Sequence, residues 1–400
     1  MSDYGEVIQQ NNVGQAPELS ILIPCLNEAE TIRACVRGAH EGAKSAGASG
    51  YEIVIADNGS TDGTGRIANE EGALVVPVPE RGYGAALLAG IHAAQGRFVI
   101  MGDGDGSYDF SRLQPFLDLL RSGISLVMGT RLRGEIKKGA MPWLNRRLGN
   151  PLLTFVGNLL FRAGISDFHC GMRGFERQAI IDLNLATKGM EFASEMVIKA
   201  RLAGLKLAEV PMVYSPDGRT RPPHLRPWRD GWRHLRFMLL FSPRWLFVYP
   251  GLILSGIGGT AAALLIPGPV RMGRLTFDIH SLIGAVTVLI VGSVLLFLGL
   301  IARLYASRVK LLPPSPRLED FLERFSLELG LSLGLLLAVA GFSLYGYGLI
   351  LWGQRAFGPI VEYQETLRVV IAGTALAILG LEVFFASFVL TLFGREWQIR

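Results

Sequence analysis

Two carboxylates one residue apart, Asp103 and Asp105 in MGDGDGSYD (101–109), are the strongest chemical signal in the chain. On a turn, carboxylates at i and i+2 can grip one hard cation, while Gly104 and Gly106 let a backbone approach closely. A Mg2+ or Mn2+ ion held there would bridge a diphosphate and stabilise the charge on a departing phosphate. More acid stands nearby in the pattern: IPCLNE (23–28) and ADNGSTDGT (56–64) carry Glu28, Asp57 and Asp62 toward the same expected rim. Crowded carboxylates repel one another without a cation or hydrogen-bond donors. Asp57 and Asp62 have a second reading, as caps of the helix starting near Gly63. RGYGAALLAG (81–90) opens a helix with glycines two apart, able to present backbone N–H groups to a phosphate. Its third glycine is misplaced for a dinucleotide fingerprint and it follows the third strand, which argues against an NAD enzyme.

These polar runs close β-branched segments. SILIP, YEIVIAD, ALVVPV, RFVIMGD and ISLVMGT read as strands, alternating with helical spacing over 28–47, 63–72, 84–94 and 111–122. The alternation predicts a doubly wound parallel sheet from residue 19 to about 214, with ligands at the strand C-terminal ends.

The second half has another composition. Runs 245–270, 281–302 and 329–354 contain no Asp, Glu, Lys or Arg, and 369–394 contains only Glu382. Each exceeds the roughly 20 apolar residues that cross a bilayer, so four transmembrane helices are expected at about 245–270, 279–302, 329–353 and 369–393. Arg303, Arg308, Lys310, Arg317 and Arg324 follow the second span, and Arg226, Arg229, Arg233, Arg236 and Arg244 precede the first. Arg271, Arg274, Arg355 and Arg368 mark the other side, so both termini and the α/β domain are expected in the cytosol. The net charge of +5 therefore sits beside apolar runs, where a bilayer surface explains it better than nucleic acid. In 219–244, Trp228, Trp232, Leu235, Leu239 and Phe241 could form an apolar stripe beneath snorkelling Arg229, Arg233 and Arg236, making an interfacial helix. A core helix with a solvated basic face fits the same pattern. Residues 1–18 lack the features of a signal peptide and read as a disordered leader, and 395–400 as a cytosolic tail. Cys25, Cys35 and Cys170 show no metal-ligand spacing and read as reduced thiols. Glu382 could bind a neighbouring span or subunit, and GLSLG (330–334) offers a small-residue face for helix packing or a homo-oligomer.

Taken in order, IPCLNE, DNGSTDGT, RGYGAALLAG, GDGDGSYD, the GTR ending at Arg131, DFHCGMRGF (167–175) and the FASE ending at Glu195 resemble the family 2 glycosyltransferases. Within that family they resemble the polyprenyl-phosphate (dolichyl-phosphate) mannose and glucose synthases. The resemblance covers residues 19 to about 215. It implies a GT-A, Rossmann-like α/β nucleotide-sugar domain at 19–218, followed by an all-α membrane domain of four transmembrane helices in a bacterial or archaeal plasma membrane. It further implies a UDP- or GDP-linked donor, UDP-glucose foremost, a polyprenyl or dolichyl phosphate acceptor, and Mg2+ or Mn2+. Carried over residue by residue, Pro24, Asn27, Glu28, Asp57, Asn58, Gly59, Arg81, Gly82, Asp103 and Gly104 would line the nucleotide sugar, Asp57 at the base or ribose. Asp103 and Asp105 would hold the metal diphosphate, with Ser107 where relatives often place a metal-contacting Gln. Arg131, Arg146 and Arg147 would face the lipid phosphate, with Asp167 and Arg173 ordering the acceptor side and Asp105 and Arg131 carrying catalysis. Guanidinium groups suit that task because an anionic acceptor must approach an anionic donor. Arg146 and Arg147 also fit simple headgroup attraction, and His169 reads as structural.

Two rival readings are weaker. A processive polysaccharide synthase would carry Gln-X-X-Arg-Trp, whereas Arg244-Trp245 follows FSP. A non-catalytic membrane scaffold or carrier would not need Asp103 and Asp105.

Overall fold

The computed structural model describes residues 16–220, 227–309, 312, 315–354, 356–358 and 363–394. The expected leader as far as residue 15, Arg226, Lys310, Arg355 and the expected tail lie outside them, as does the side chain of Arg317. The chain forms two compact units, Met1–Met238 and Leu239–Arg400.

The first unit runs β1 (Leu19–Cys25), α1 (Ile32–Ser45), β2 (Tyr51–Asp57), α2 (Thr64–Glu70), β3 (Leu74–Pro77), α3 (Tyr83–Ala93), β4 (Phe98–Met101), α4 (Gln114–Arg121) and β5 (Leu126–Ile136). A π-helical turn (Asn145–Gly149) leads into α5 (Asn150–Phe161), followed by β6 (Arg173–Glu176), α6 (Arg177–Asp182), α7 (Phe192–Leu202), β7 (Leu207–Tyr214) and α8 (Pro227–Leu240). The strands make one seven-stranded sheet in the order β3-β2-β1-β4-β6-β5-β7. It is mixed, not wholly parallel as the sequence suggests: β6 pairs antiparallel with both β4 and β5. The four residues RGFE of β6 have neither a β-branched run nor an alternation long enough to announce a strand. In β7, LAEVPMVY, Pro211 interrupts the pattern, which edge strands tolerate.

Packing follows the periodicities. Every residue of β1 is buried, as expected for a central strand covered on both faces. On α1, Ile32, Cys35, Val36, Ala39 and Ala43 form the buried stripe. The parallel register sets Cys25 opposite Asp57 and Leu22 opposite Met101. The C-terminal ends of β1, β2 and β4 thus release IPCLNE, ADNGSTDGT and GDGDGSYD from one edge.

α8 forms within the segment expected to be an interfacial helix. Asp230, His234 and Met238, spaced four apart, are buried, while Trp228 and Trp232 are exposed.

The second unit has a π-helical turn (Arg244–Val248), α9 (Tyr249–Leu265), a hairpin of β8 (Val270–Met272) and β9 (Leu275–Phe277), α10 (Ile279–Arg308), α11 (Pro316–Arg324), α12 (Leu327–Gly353) and α13 (Tyr363–Gly394). Four stretches are long and apolar enough to cross a membrane: Arg244–Leu265, Ile279–Arg308, Leu327–Gly353 and Gln364–Phe393. The first ends earlier than the composition suggests because Pro267 and Pro269 cannot continue a helix and Val270 begins β8. The small residues of α12 are used within the chain: a Cβ on Gly334 would lie 2.6 Å from the Phe384 amide of α13, and one on Gly341 2.3 Å from that of Ala377. Glu382 likewise finds a neighbouring span, its Oε2 accepting from Ser293 Oγ of α10 at 2.7 Å.

Candidate active site

The acidic turn leaves β4 with its carboxylates already engaged. Asp103 Oδ1 accepts from the Tyr83 hydroxyl of α3 at 3.0 Å. Burial, then the Asp105 charge, pushes the Asp103 carboxyl up to about 6 despite the Tyr83 hydrogen bond. Asp105 Oδ1 accepts from the Ser107 amide at 2.9 Å and hydroxyl at 2.5 Å. The Ser107 hydroxyl is therefore a brace for Asp105. Thr31 Oγ1 donates to the Gly104 carbonyl at 2.6 Å, fixing the turn to the start of α1. Gly171 is required beside it, since a Cβ there would come within 2.5 Å of Asp103 Oδ2.

Arg219, which carries no recognisable sequence signal, occupies the centre. Its Nη2 donates to Asp105 Oδ2, and its Nε lies 3.3 Å from Glu28 Oε2. The segment after β7 is laid over the turn to bring it there: Ser215 N donates to Ser107 O at 3.0 Å, Gly218 N to Asp105 O at 2.9 Å, and Thr220 Oγ1 to Glu30 at 2.8 Å. In sequence Arg219 is one arginine in a basic, proline-rich stretch, 114 residues from Asp105. Only the fold identifies it.

The β1 and β2 loops brace each other. Asn27 Oδ1 accepts from Thr61 N at 2.7 Å, and Asn27 adopts a left-handed φ of 59°. Asp57 Oδ1 accepts from Ser60 N at 2.8 Å. Asp62 follows its local reading, with Oδ1 accepting from Thr64 N at the start of α2 and Oδ2 from Ala29 N, both at 3.0 Å. Asn58 is a bracket: Nδ2 donates to Glu80 O at 2.6 Å and Oδ1 accepts from Gly82 N at 2.7 Å, fixing the loop that carries Arg81. The glycines before and within α3 have a packing reason. A Cβ on Gly82 would lie 2.1 Å from Lys188 O, and one on Gly84 2.3 Å from Thr187 O. The Gly82 amide is thus engaged by Asn58 and does not stand open to a phosphate. Pro24 and Gly59 lie at the β1 end and in the β2 loop, the latter with a φ of 93°.

Charges on these loops are felt in the core. Burial, with Asp57, Glu28 and Asp62, holds the Cys25 thiol far above its usual range. Burial, with Asp105, Glu28 and Asp103, pushes Cys35 up to about 12. Both thiols are buried and protonated.

The residues expected on the acceptor side form a second network. Arg131 forks onto Asp167, Nε to Oδ2 at 2.7 Å and Nη2 to Oδ1 at 2.9 Å, and its guanidinium lies 5.3 Å from the Tyr214 ring centre. Arg173 has a different environment from Arg131. Fully buried, it donates to the carbonyls of Cys170, Ala193 and Phe168, tying the 167–173 turn to α7. Glu195 clamps the 186–187 backbone and pairs with Lys199. Arg146 and Arg147 are exposed on the π-helical turn and take no part in these contacts. His169 Nε2 lies 3.2 Å from Ser194 Oγ, which lies 2.8 Å from His234 Nδ1. Burial holds His169 well below its usual range and His234 at about 4, so both rings are neutral and dock α8.

Among the described residues, no group of three or more His, Cys, Asp or Glu side chains is placed to enclose a metal. The donor set fits a divalent cation differently. Asp105 and Glu28 already share one positive charge, and Mg2+ is ordinarily held by one or two carboxylates completed by substrate phosphates.

The family model "Glycosyl transferase family 2" matches residues 20–183, and "Glycosyltransferase family 2 C-terminal transmembrane region" matches 300–394. The low-salt glycan biosynthesis hexosyltransferase Agl6 of Haloferax volcanii is 38% identical over 384 residues, 95% of this chain and 90% of its own length. A dolichyl-phosphate hexose transferase from the same organism is 36% identical over 165 residues, 41% of this chain and 69% of that protein. A crystal structure of glucosyl-3-phosphoglycerate synthase from Mycobacterium tuberculosis, with Mn2+ and UDP-glucose, aligns at 24% identity over 56% of this chain and 78% of that one, with a TM-score of 0.43. Similarity to one relative at 38% identity over 95% of the chain, and both family models in their proper order, agree with a sheet whose edge carries the acidic turn and with apolar helices beyond it: the chain belongs to the family 2 glycosyltransferases, as a multi-pass membrane enzyme.

Proposed function

We propose that the enzyme moves a hexose from a nucleotide sugar, UDP-glucose before GDP-mannose, to the phosphate of a polyprenyl lipid. The observation that carries this reading is the pair Asp105 and Glu28 sharing one guanidinium at the β4 turn, a seat prepared for positive charge at a strand edge. Two relatives named as hexosyltransferases, one of them a dolichyl-phosphate hexose transferase, support the sugar class and the acceptor.

Asp103 and Asp105 would hold Mg2+ or Mn2+, with Glu28 beside them. When bound, the cation neutralises charge on the departing nucleoside diphosphate. Asp57, Asn58, Asn27, Pro24, Gly59, Arg81, Gly82 and Gly104 shape the donor side through the braces already described. Arg131 meets the acceptor: Asp167 takes Nε and Nη2 and fixes the plane, which leaves Nη1 to an anion. Arg173 positions that turn from within. A lipid-phosphate oxygen attacks the anomeric carbon in line, the bond to the diphosphate oxygen breaks, and configuration inverts. A phosphate monoester with a second pKa of about 6 is mostly dianionic at neutral pH and needs no general base. Orientation and charge neutralisation then supply most of the rate. The excess of arginine beside the first span and between the second and third supports a cytosolic catalytic unit.

The test is incubation of the purified protein with Mg2+, polyprenyl phosphate and a panel of labelled nucleotide sugars. A labelled glycolipid from UDP-glucose is expected. Transfer to an acceptor lacking phosphate, or to none, overturns the reading.

A further inference from the structure

Tyr214, the last residue of β7, has no role in the chemistry above, although it stands where the two halves of the site meet. β5 and β7 pair in parallel from Leu126 and Leu207 as far as Thr130 and Pro211, then lose step: Glu135, five residues on from Thr130, meets Val213, only two on from Pro211. The surplus on β5 begins at Arg131. An irregularity of this kind re-aims the side chains it carries, and Gly134 permits it here, since a Cβ there would lie 2.0 Å from Met212 O. Taken off the ladder, the Arg131 guanidinium lies over the Tyr214 ring, 5.3 Å from its centre, although Tyr214 pairs with Ile136. The ring is itself held. Tyr108 is buried, its hydroxyl accepts from the Gly171 amide at 2.8 Å, and its ring centre lies 5.3 Å from that of Tyr214. The main chain is anchored independently of the side chain: Tyr214 O accepts from Lys137 N and Ser215 N donates to Ser107 O, both at 3.0 Å. Burial raises the Tyr214 hydroxyl above its usual range, with Arg131 opposing and the charges of Asp105 and Asp103 adding to the rise. One side chain thus feels both the acidic turn and the arginine.

We infer that Tyr214 is a positioning residue for the transfer, its ring face holding the Arg131 guanidinium at a set distance from the cation seat at Asp103 and Asp105. The inference rests on the proposed place of Arg131 at the acceptor phosphate. Asp167 grips Nε and Nη2 along one edge of the guanidinium, which fixes its direction and balances its charge. An edge contact alone leaves a planar group able to rock about that edge. A ring against it stops the rocking, and an aromatic face attracts a cation without bringing a second anion to compete with the phosphate. A carboxylate in the same place would hold the arginine equally well and cancel the charge that the acceptor needs. Asp167 therefore serves charge and Tyr214 serves position. Position matters for in-line attack because the reacting atoms must stand about 3–3.5 Å apart. The anchored main chain at Tyr214 keeps the other side of that distance fixed, through Ser107 at the acidic turn.

The test compares Tyr214→Leu, which removes the ring, with Tyr214→Phe, which keeps it, in the purified full-length protein, and takes Asp167→Asn as the reference. Transfer from labelled UDP-glucose is followed over a range of polyprenyl phosphate concentrations, and free Mn2+ is titrated into each variant. Tyr214→Leu should raise KM for polyprenyl phosphate about fivefold or more, with KM for the nucleotide sugar and the affinity for Mn2+ within about twofold of the intact enzyme. Tyr214→Phe should return all three to the intact values. Unmoved Mn2+ affinity shows that the Leu variant is folded at the acidic turn, so a selective rise cannot come from general unfolding. Equal losses in the Phe and Leu variants, or weaker Mn2+ binding in Tyr214→Leu, overturn the inference. So does an unmoved KM in Tyr214→Leu when Asp167→Asn raises KM for the lipid selectively, which leaves the proposed place of Arg131 standing. An equal rise of both KM values in Asp167→Asn removes Arg131 from the acceptor and this inference with it.

Discussion

Replacing Arg219 with Ala tests whether the acidic turn is a cation seat in competition with the protein's own guanidinium. The guanidinium contacts Asp105 and approaches Glu28 to 3.3 Å, with its side chain 11% exposed. Two unit charges at that spacing attract by about 5 kcal/mol at an effective dielectric of about 20. Desolvation offsets most of this, and a hydrogen bond to a charged group contributes about 1.5–3 kcal/mol net. A divalent ion entering without nucleotide must displace that contact. Removing it should tighten free Mn2+ binding by about 1.5–2 kcal/mol, roughly ten- to thirtyfold at about 1.4 kcal/mol per decade. The assay is titration of Mn2+ followed by loss of the free-ion electron paramagnetic resonance signal, at pH 8, where Asp103 is ionised in both proteins. Unchanged or weaker binding in the Ala variant would refute the reasoning, because it would mean that Arg219 does not stand where the metal goes.

Asp167→Asn should leave the Arg131 guanidinium without its counter-charge; breaking such buried pairs costs about 3–5 kcal/mol. Its KM for lipid phosphate should rise well beyond its KM for the nucleotide sugar; equal increases would place Arg131 outside the acceptor site. Gly171→Ala crowds Asp103 Oδ2 and should weaken Mn2+ binding severalfold without unfolding, checked by the same titration and circular dichroism. The pH dependence follows from the buried histidines. Their folded pKa values are depressed, so the unfolded chain takes up protons first. Stability from neutral His169 and His234 is complete above about 6.5 and lost as pH falls toward about 4. Tryptophan fluorescence should report a transition in that window, shifted to lower pH in His234→Asn.

The sequence discloses those parts of the fold that depend on local pattern. β1 to β5 are β-branched runs, and the acidic residues follow them because strand ends must turn. β6 escapes notice because four residues paired on both sides derive their conformation from neighbours, not from propensity. α1 begins at Ile32 and not at residue 28 because the intervening residues are braced to the β2 loop and the start of α2. Asp103 and Asp105 are legible, being adjacent in the chain. Arg219 is not, because its place is made by hydrogen bonds from a strap of backbone. Arg131 and Arg173 look alike in sequence, yet one forks onto a carboxylate and the other onto three carbonyls.

Transfer by the intact enzyme and by Asp105→Ala, each with labelled UDP-glucose, polyprenyl phosphate and Mg2+ or chelator, tests the central claim most directly. The account predicts a labelled glycolipid from the intact enzyme with metal, none with chelator, and none from the variant, while the variant remains folded. Full transfer by Asp105→Ala, or in chelator, would contradict it.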